Sequence, residues 1–363
     1  MKKRDFLAAL LFAFLLLAGT KTSELLREAS FYTKLEKNYV RCNLCPNTCV
    51  LKDGETGICR VRQNLNGTLY TLVYNLPVSL NIDPIEKKPL FHFLPGSKVF
   101  SLATVGCNLN CNFCQNWTIS QSSPNEVQTY EATPEQIVQM AKEYDCQSIA
   151  FTYTEPTVFY EYMFDIAKLA HENGIKTVWV TCGYINEAPL RKLAKYLDAA
   201  NIDLKGFSEE FYETYTTGSL QPVLNTLEIA KEEGIYFEIT NLVIPDANDD
   251  PVLIRAMCKW IYQNLGTDYP LHFSRFFPNY KLTNRPQTPF KTLQMAYEIA
   301  LEESLKYVYV GNISGISEDT ICPNCGKKLI VRSGYTVREN NIENGKCKFC
   351  GTSIPGFFSD EKK

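Results

Sequence analysis

The sequence predicts an α/β protein, a full or partial (β/α) TIM-like barrel with small four-cysteine appendages at both ends. Two observations carry this. Short apolar, β-branched and aromatic runs at 99–105, 148–154, 176–184, 199–205, 236–245, 271–278 and 307–312 have the length and composition of buried parallel strands, and amphipathic helical patterns separate most of them. Repeated strand–helix units imply a parallel sheet with crossover connections, and such a barrel places its ligands at the carboxyl ends of its strands. The second observation is the distribution of fourteen cysteines, eleven of which fall into three compact groups before, within and after the alternating region.

Length and composition fit an enzyme. A chain of 363 residues holds one large domain with small appendages, and 45% hydrophobic with 21% charged residues is ordinary globular usage. A formal net charge of -3 argues against nucleic acid as a partner, because non-specific binding needs a basic face.

At the amino terminus, Lys2, Lys3 and Arg4 precede an apolar run over 6–18, the charged and hydrophobic regions of an export signal or single anchor. The run is shorter than the ~20 residues of a spanning helix. Residues 1–22 are therefore expected to be a signal-like or anchor segment, making the protein membrane-anchored or exported, with a cytoplasmic location as the alternative. Lys3-Arg4-Asp5-Phe6-Leu7 loosely resembles a twin-arginine export signal. The remaining boundaries expected are a lead-in with a four-cysteine group at 23–95, the barrel at 96–315, a ribbon-like module at 316–357 and a tail at 358–363.

In an exported chain many cysteines suggest disulfides, but the spacing here is that of metal ligands. The first group is Cys42, Cys45, Cys49 and Cys59, with Gly54 and Gly57 allowing the chain to fold back. Four thiols make a closed shell, for structural zinc by preference or for an auxiliary iron–sulfur cluster. The last group is Cys322, Cys325, Cys347 and Cys350, two Cys-x-x-Cys-Gly knuckles that read as a zinc ribbon. So small a segment buries little core, and thiolate coordination supplies its folding free energy, ~10–16 kcal/mol for structural zinc. A rubredoxin-like iron centre is the alternative, since an all-thiolate site does not separate the two metals by sequence. Cys146, Cys182 and Cys258 stand alone, and Cys146 and Cys258 read as small buried hydrophobes.

The central group differs. Gly106-Cys107-Asn108-Leu109-Asn110-Cys111-Asn112-Phe113-Cys114 follows the first strand and offers three thiols, one fewer than a cubane cluster takes. A zinc knuckle is the plain alternative. Further strand ends carry polar residues: Thr152, Tyr153, Thr154 and Glu155 end the second, and Asp203 and Lys205 share one face of the fourth. Buried charges need partners, which an internal Asp203–Lys205 pair or an ionic ligand supplies. An ordinary turn with Glu155 at a helix amino terminus is the plain reading of the second strand's end. His272 alternates with Ser274 on a later strand and is as readily a core histidine. Thr133-Pro134-Glu135-Gln136 is a capping box that starts a helix.

The three-cysteine loop resembles that of the radical S-adenosylmethionine (SAM) enzymes, whose free iron chelates SAM. The resemblance implies a [4Fe-4S] cluster on Cys107, Cys111 and Cys114, with SAM near Thr152, Tyr153, Thr154, Glu155, Asp203, Lys205 and His272. The threonines and tyrosine at 152–154 stand where such enzymes commonly carry glycines. Cys182, in Thr181-Cys182-Gly183, lines the pocket on the same comparison, whereas Gly311 to Glu318 matches the spacing of an adenine motif but comes too late in the chain and reads as coincidence. Cys42-x-x-Cys45-Pro46, the Asp83–Phe93 stretch, the cluster loop, Thr154-Glu155-Pro156, Asp203-Leu204-Lys205, His272-Phe273-Ser274-Arg275-Phe276 and the terminal ribbon occur in this order. As a set they resemble the radical SAM enzyme of the AmmeMemoRadiSam system, related to pyruvate formate-lyase activating enzymes. The resemblance implies reductive cleavage of SAM to a 5'-deoxyadenosyl radical that abstracts hydrogen from a substrate, a low-potential electron donor, and Memo-like and AMMECR1-like proteins as associates. A glycyl-radical activating enzyme and a non-catalytic zinc or iron–sulfur electron-transfer protein are the other readings. In the Asp83–Phe93 stretch, 83–89 is expected to cap the site or to be a plain charged loop.

Overall fold

The computed structural model describes residues 26–313 and 317–358, so the leader expected at 1–22 lies outside the described residues, as does most of the tail. Among the described residues no helix is long and apolar enough to cross a membrane.

Eight strands form one sheet in sequence order: β1 (Ser79–Pro84), β2 (Lys98–Ala103), β3 (Ser148–Phe151), β4 (Lys176–Thr181), β5 (Ala199–Asp203), β6 (Tyr236–Val243), β7 (Leu271–Arg275) and β8 (Val308–Gly311). From β2 to β8 every neighbouring pair is parallel. β1 runs antiparallel on the edge beside β2, and no ladder joins β1 to β8 among the described residues, so the barrel is partial. β2, β3 and β4 are buried almost throughout, as sheets covered on both faces require.

Among the described residues, a short helix at Trp117–Ser120 follows the cysteine loop, six longer α-helices fall in the crossovers from β2 to β7, and one more lies between β7 and β8: α1 (Pro134–Glu143), α2 (Tyr160–Glu172), α3 (Glu187–Ala194), α4 (Glu209–Tyr215), α5 (Gln221–Glu232), α6 (Pro251–Trp260) and α7 (Phe290–Glu302). The expected capping box starts α1: the Thr133 hydroxyl accepts from the Gln136 amide while the Gln136 side chain accepts from the Thr133 amide. α4 was not evident from the hydrophobic period; the Ser208 hydroxyl caps it and two acidic residues open its first turn.

The alternation also missed β1, whose outward residues Asn81 and Ile82 are exposed. Strands β3, β4 and β5 end sooner than their apolar runs suggest. Tyr153 takes a positive φ of 65° and Gly183 one of 67°, so the chain turns away from the sheet just where it reaches the polar rim.

The terminal module is a three-stranded antiparallel sheet containing the hairpin β9 (Lys328–Ser333) and β10 (Thr336–Asn340). It docks on 91–94 through Arg332, whose Nη2 donates to the Phe91 carbonyl at 2.6 Å and whose guanidinium lies 4.2 Å from the Phe91 ring centroid. Cys146 and Cys258 are buried in the main core, as their apolar surroundings implied.

Candidate active site

The carboxyl ends of β2 to β8 open onto one cavity of about 540 Å³, within the ~300–1,000 Å³ usual for small-molecule sites. Register explains the convergence. Asp203 pairs with Thr240 across β5–β6, Thr240 with His272 across β6–β7, and His272 with Tyr309 across β7–β8. Cys107, Cys111 and Cys114 line this cavity together with Thr152, Tyr153, Thr154, Glu155, Cys182, Asp203, Lys205 and His272, so the separate strand ends singled out in the sequence meet in one place.

The cluster loop is fixed by its neighbours. The Gly106 amide donates to the Ile119 carbonyl, the Asn110 amide to Thr216, and the Asn108 side chain to the Tyr184 carbonyl at 2.6 Å. Burial pushes the Cys111 thiol up to about 12 and Cys107 well above its usual value. Such thiols keep their protons until a metal replaces them. Among the described residues, no three of these sulfurs lie within 4.8 Å of one another. A single zinc ion with Zn–S of about 2.3 Å would hold its thiolates about 3.8 Å apart, closer than these sulfurs stand.

Asp203 and Lys205 form an ion pair, Nζ to Oδ2 at 2.7 Å, with the lysine side chain largely buried. Burial alone lowers an ammonium's pKa, but Asp203 outweighs it and Lys205 is held well above its usual value. The internal pair and the cavity position are therefore both present.

Glu155 lines the cavity, yet both of its carboxylate oxygens are engaged by the chain. Oε1 accepts from the Thr157 amide, the Thr157 hydroxyl and the Thr181 hydroxyl, and Oε2 accepts from the Cys182 amide at 2.8 Å. It ties β3 to β4 and caps the short helix Pro156–Phe159. Thr154 donates to the Thr104 carbonyl, and the Tyr153 carbonyl accepts from Asn116. His272 offers its Nε2 to Glu238 at 2.5 Å, and Glu238 also accepts from the His92 amide. A fully buried glutamate on β6 thus positions His272, and no sequence signal pointed to it.

The 83–89 segment lines the cavity through Glu86, Lys87, Lys88 and Pro89. It is held by a buried ion pair between Lys88 Nζ and Asp83 Oδ2 at 2.7 Å, with the Tyr153 hydroxyl donating to the same carboxylate. Burial brings Lys88 down to about 8 despite Asp83. Tyr335, at the β9–β10 turn, reaches the same rim, so the terminal module contributes to the cavity. Gly311 and Asn312 also line it, although that stretch reads as coincidence in the sequence.

The terminal cysteines converge: Cys322, Cys325, Cys347 and Cys350 have their sulfurs within 4.8 Å of one another, two pairs at 3.6 and 3.7 Å. The amino-terminal four surround a separate small cavity, but no three of their sulfurs lie within 4.8 Å.

Comparison with known proteins agrees with this geometry. Residues 101–255 match the radical SAM superfamily. The chain is 50% identical over 332 residues to the uncharacterized protein MJ0808 of Methanocaldococcus jannaschii, covering 91% of this chain and 99% of that one. It is 23% identical over 158 residues to the pyruvate formate-lyase-activating enzyme of Clostridium pasteurianum, covering 43% and 66%. Among solved structures, a radical SAM methyltransferase from Sphaerobacter thermophilus aligns over 70% of this chain and 82% of its own, at 12% identity and a TM-score of 0.48. A parallel-strand α/β enzyme with cluster-spaced thiols at its strand ends is the class the site defines. Residues 101–255 are a radical SAM domain, and that superfamily uses a [4Fe-4S] cluster and SAM.

Proposed function

We propose that this protein is the radical SAM enzyme of an AmmeMemoRadiSam system, with the cluster on Cys107, Cys111 and Cys114 and SAM in the remainder of the cavity. The observation that carries the reading is the convergence of a three-thiol set with Asp203, Lys205 and the 152–154 turn in one 540 Å³ cavity. Held by Cys107, Cys111 and Cys114 and by the cavity wall, the cluster and SAM would supply one-electron reductive cleavage of the sulfonium and hydrogen abstraction from the substrate.

The chain binds, orients and shields while the cofactors carry the hard step. Lys205, kept protonated by Asp203, supplies a cation for a carboxylate. The backbone at 152–154 is held by Asn116, which donates to the Tyr153 carbonyl, and by the Thr154 hydroxyl, which donates to the Thr104 carbonyl. Glu238 fixes the ring of His272 at the wall, and Phe91 packs edge-on against that ring. The terminal four-thiol set holds zinc: its 3.6 and 3.7 Å sulfur separations are close to the ~3.8 Å edge of a tetrahedral zinc–thiolate site. Memo-like and AMMECR1-like proteins are the associates that the AmmeMemoRadiSam reading supplies.

Anaerobic reconstitution tests the reading. The reduced protein with SAM is expected to form 5'-deoxyadenosine, and Cys114→Ala to lower the rate by about three orders of magnitude. Equal amounts from both proteins would overturn it. Similarity to the pyruvate formate-lyase-activating enzyme favours a second reading, activation of a glycyl-radical partner. That reading expects a protein-borne radical on a candidate partner after incubation with SAM, detected by electron paramagnetic resonance.

A further inference from the structure

Four thiols are left over by the radical reading. Cys42 and Cys49 are drawn together where the Cys42 amide donates to the Cys49 carbonyl at 2.9 Å, beside the ladder of Val40–Cys42 with Val50–Leu51. Cys59 returns through the pairing of Gly57 with Arg62. With Cys45 they line one small space, and its other walls include Leu44, Leu51, Val158 and Arg62.

Two observations describe what that space suits. The sulfurs are too widely spaced for one ion: no three lie within 4.8 Å, whereas zinc at about 2.3 Å from each sulfur brings all four within about 3.8 Å. A cubane binds each thiolate at a different iron, which sets the sulfurs apart by the body of the cluster. The second observation is Arg62, whose side chain is 2% exposed. Its Nη1 pairs with Glu161 at 3.1 Å and its Nη2 donates to the Ser30 carbonyl at 2.5 Å, but its Nε is buried without a partner. A buried donor left unmade costs free energy. On the wall of a thiol-lined space it has a natural acceptor in the sulfur of an anionic cluster, and hydrogen bonds to sulfur are one of the factors that set cluster potentials.

We propose that Cys42, Cys45, Cys49 and Cys59 hold an auxiliary [4Fe-4S] cluster with Arg62 as its hydrogen-bond donor. All four irons carry a thiolate, so the site has no open position and serves electron storage rather than substrate binding. It adjoins the catalytic loop directly. A Cβ on Gly106 would lie 2.6 Å from the Cys59 carbonyl oxygen, Asn47 donates to the Asn108 carbonyl at 2.7 Å, and Asn108 lines the auxiliary space one residue after Cys107.

The experiment uses the full chain carrying Cys107→Ala, Cys111→Ala and Cys114→Ala, reconstituted anaerobically with iron and sulfide and checked for native circular dichroism. About four irons and four sulfides per chain are expected, with a reduced-cluster resonance signal that SAM does not perturb. A folded variant that keeps no iron and carries two zinc ions overturns the proposal. If the variant does not fold, the wild-type holoenzyme is read instead. Mössbauer quantification is expected to give about eight irons per chain, and about four would overturn the proposal. The metal counts decide this question whether or not the wild type makes 5'-deoxyadenosine.

Discussion

The two four-thiol regions carry the same ligands and solve different problems. The terminal set sits on a small core of Leu329, Ile330, Ile342 and Ile354 packed with Tyr307 and Tyr309 at β8, and two of its cysteines are exposed. The amino-terminal set is packed into the main core, where Cys42 and Cys59 count among the buried residues beside Val61, Val105 and Leu109. Where the chain has little apolar surface to bury, the thiols close tightly. Where the barrel supplies packing, they stand apart around a space. The number of thiols gives the charge and stoichiometry of a site, and the packing around them gives its size.

The largest effect expected from this contrast is in the terminal module. Cys347→Ala removes its metal, a loss of about 10 kcal/mol or more in binding free energy, and 320–354 should lose amide-exchange protection while the barrel keeps its own. Retained protection would mean that the small core suffices alone.

Glu155→Ala tests the barrel side. It leaves buried donors from Thr157, Thr181 and Cys182 without an acceptor, and about 3–5 kcal/mol of stability should be lost in urea denaturation. A loss under 1 kcal/mol would show that the carboxylate is not the tie between β3 and β4.

His92 sits on the seam between the terminal module and the barrel, with Nδ1 on the Pro355 carbonyl at 2.8 Å and Nε2 on the Tyr309 hydroxyl at 2.6 Å. Burial pushes its pKa down to about 4 from 6.5. The folded ring stays neutral while the unfolded one takes up a proton, so stability falls as pH drops from about 6.5 toward 4 and levels below it. The span corresponds to about 3 kcal/mol. His92→Gln should flatten that part of the pH profile, and an unchanged slope would assign it to other groups.

The smallest effect belongs to the surface. Arg191 bridges Glu187, Glu232 and Glu233 on α3 and after α5. Because the network is exposed, Arg191→Ala should cost about 1 kcal/mol or less and lose even that in high salt. A larger loss would give this network a weight expected only of buried contacts.

Much of the barrel was legible because its signals are local. Apolar runs, a capping box and Cys-x-x-x-Cys-x-x-Cys spacing each occupy fewer than a dozen neighbouring residues. Glu238 was not legible, since its partners His272 and His92 lie 34 and 146 residues away and nothing in its own strand marks it. Asp83 and Lys88 were visible as charges, but a charged loop and a cavity wall look alike until Tyr153 is brought against them. Glu155 stood out in the sequence as a ligand contact, and in the fold its oxygens turn to the protein.

By itself the sequence determined the order of the strands from β2 to β8 and of most helices between them, the three thiol groups and the chemistry each group allows, because coordination depends on residue type and short spacing. Only the tertiary structure decided that the terminal sulfurs close to 3.6 and 3.7 Å while the amino-terminal ones remain spread around a buried space beside Arg62. The reason is physical: sulfur separations across a site are set by the packing of distant segments, and no local pattern of residues encodes that distance.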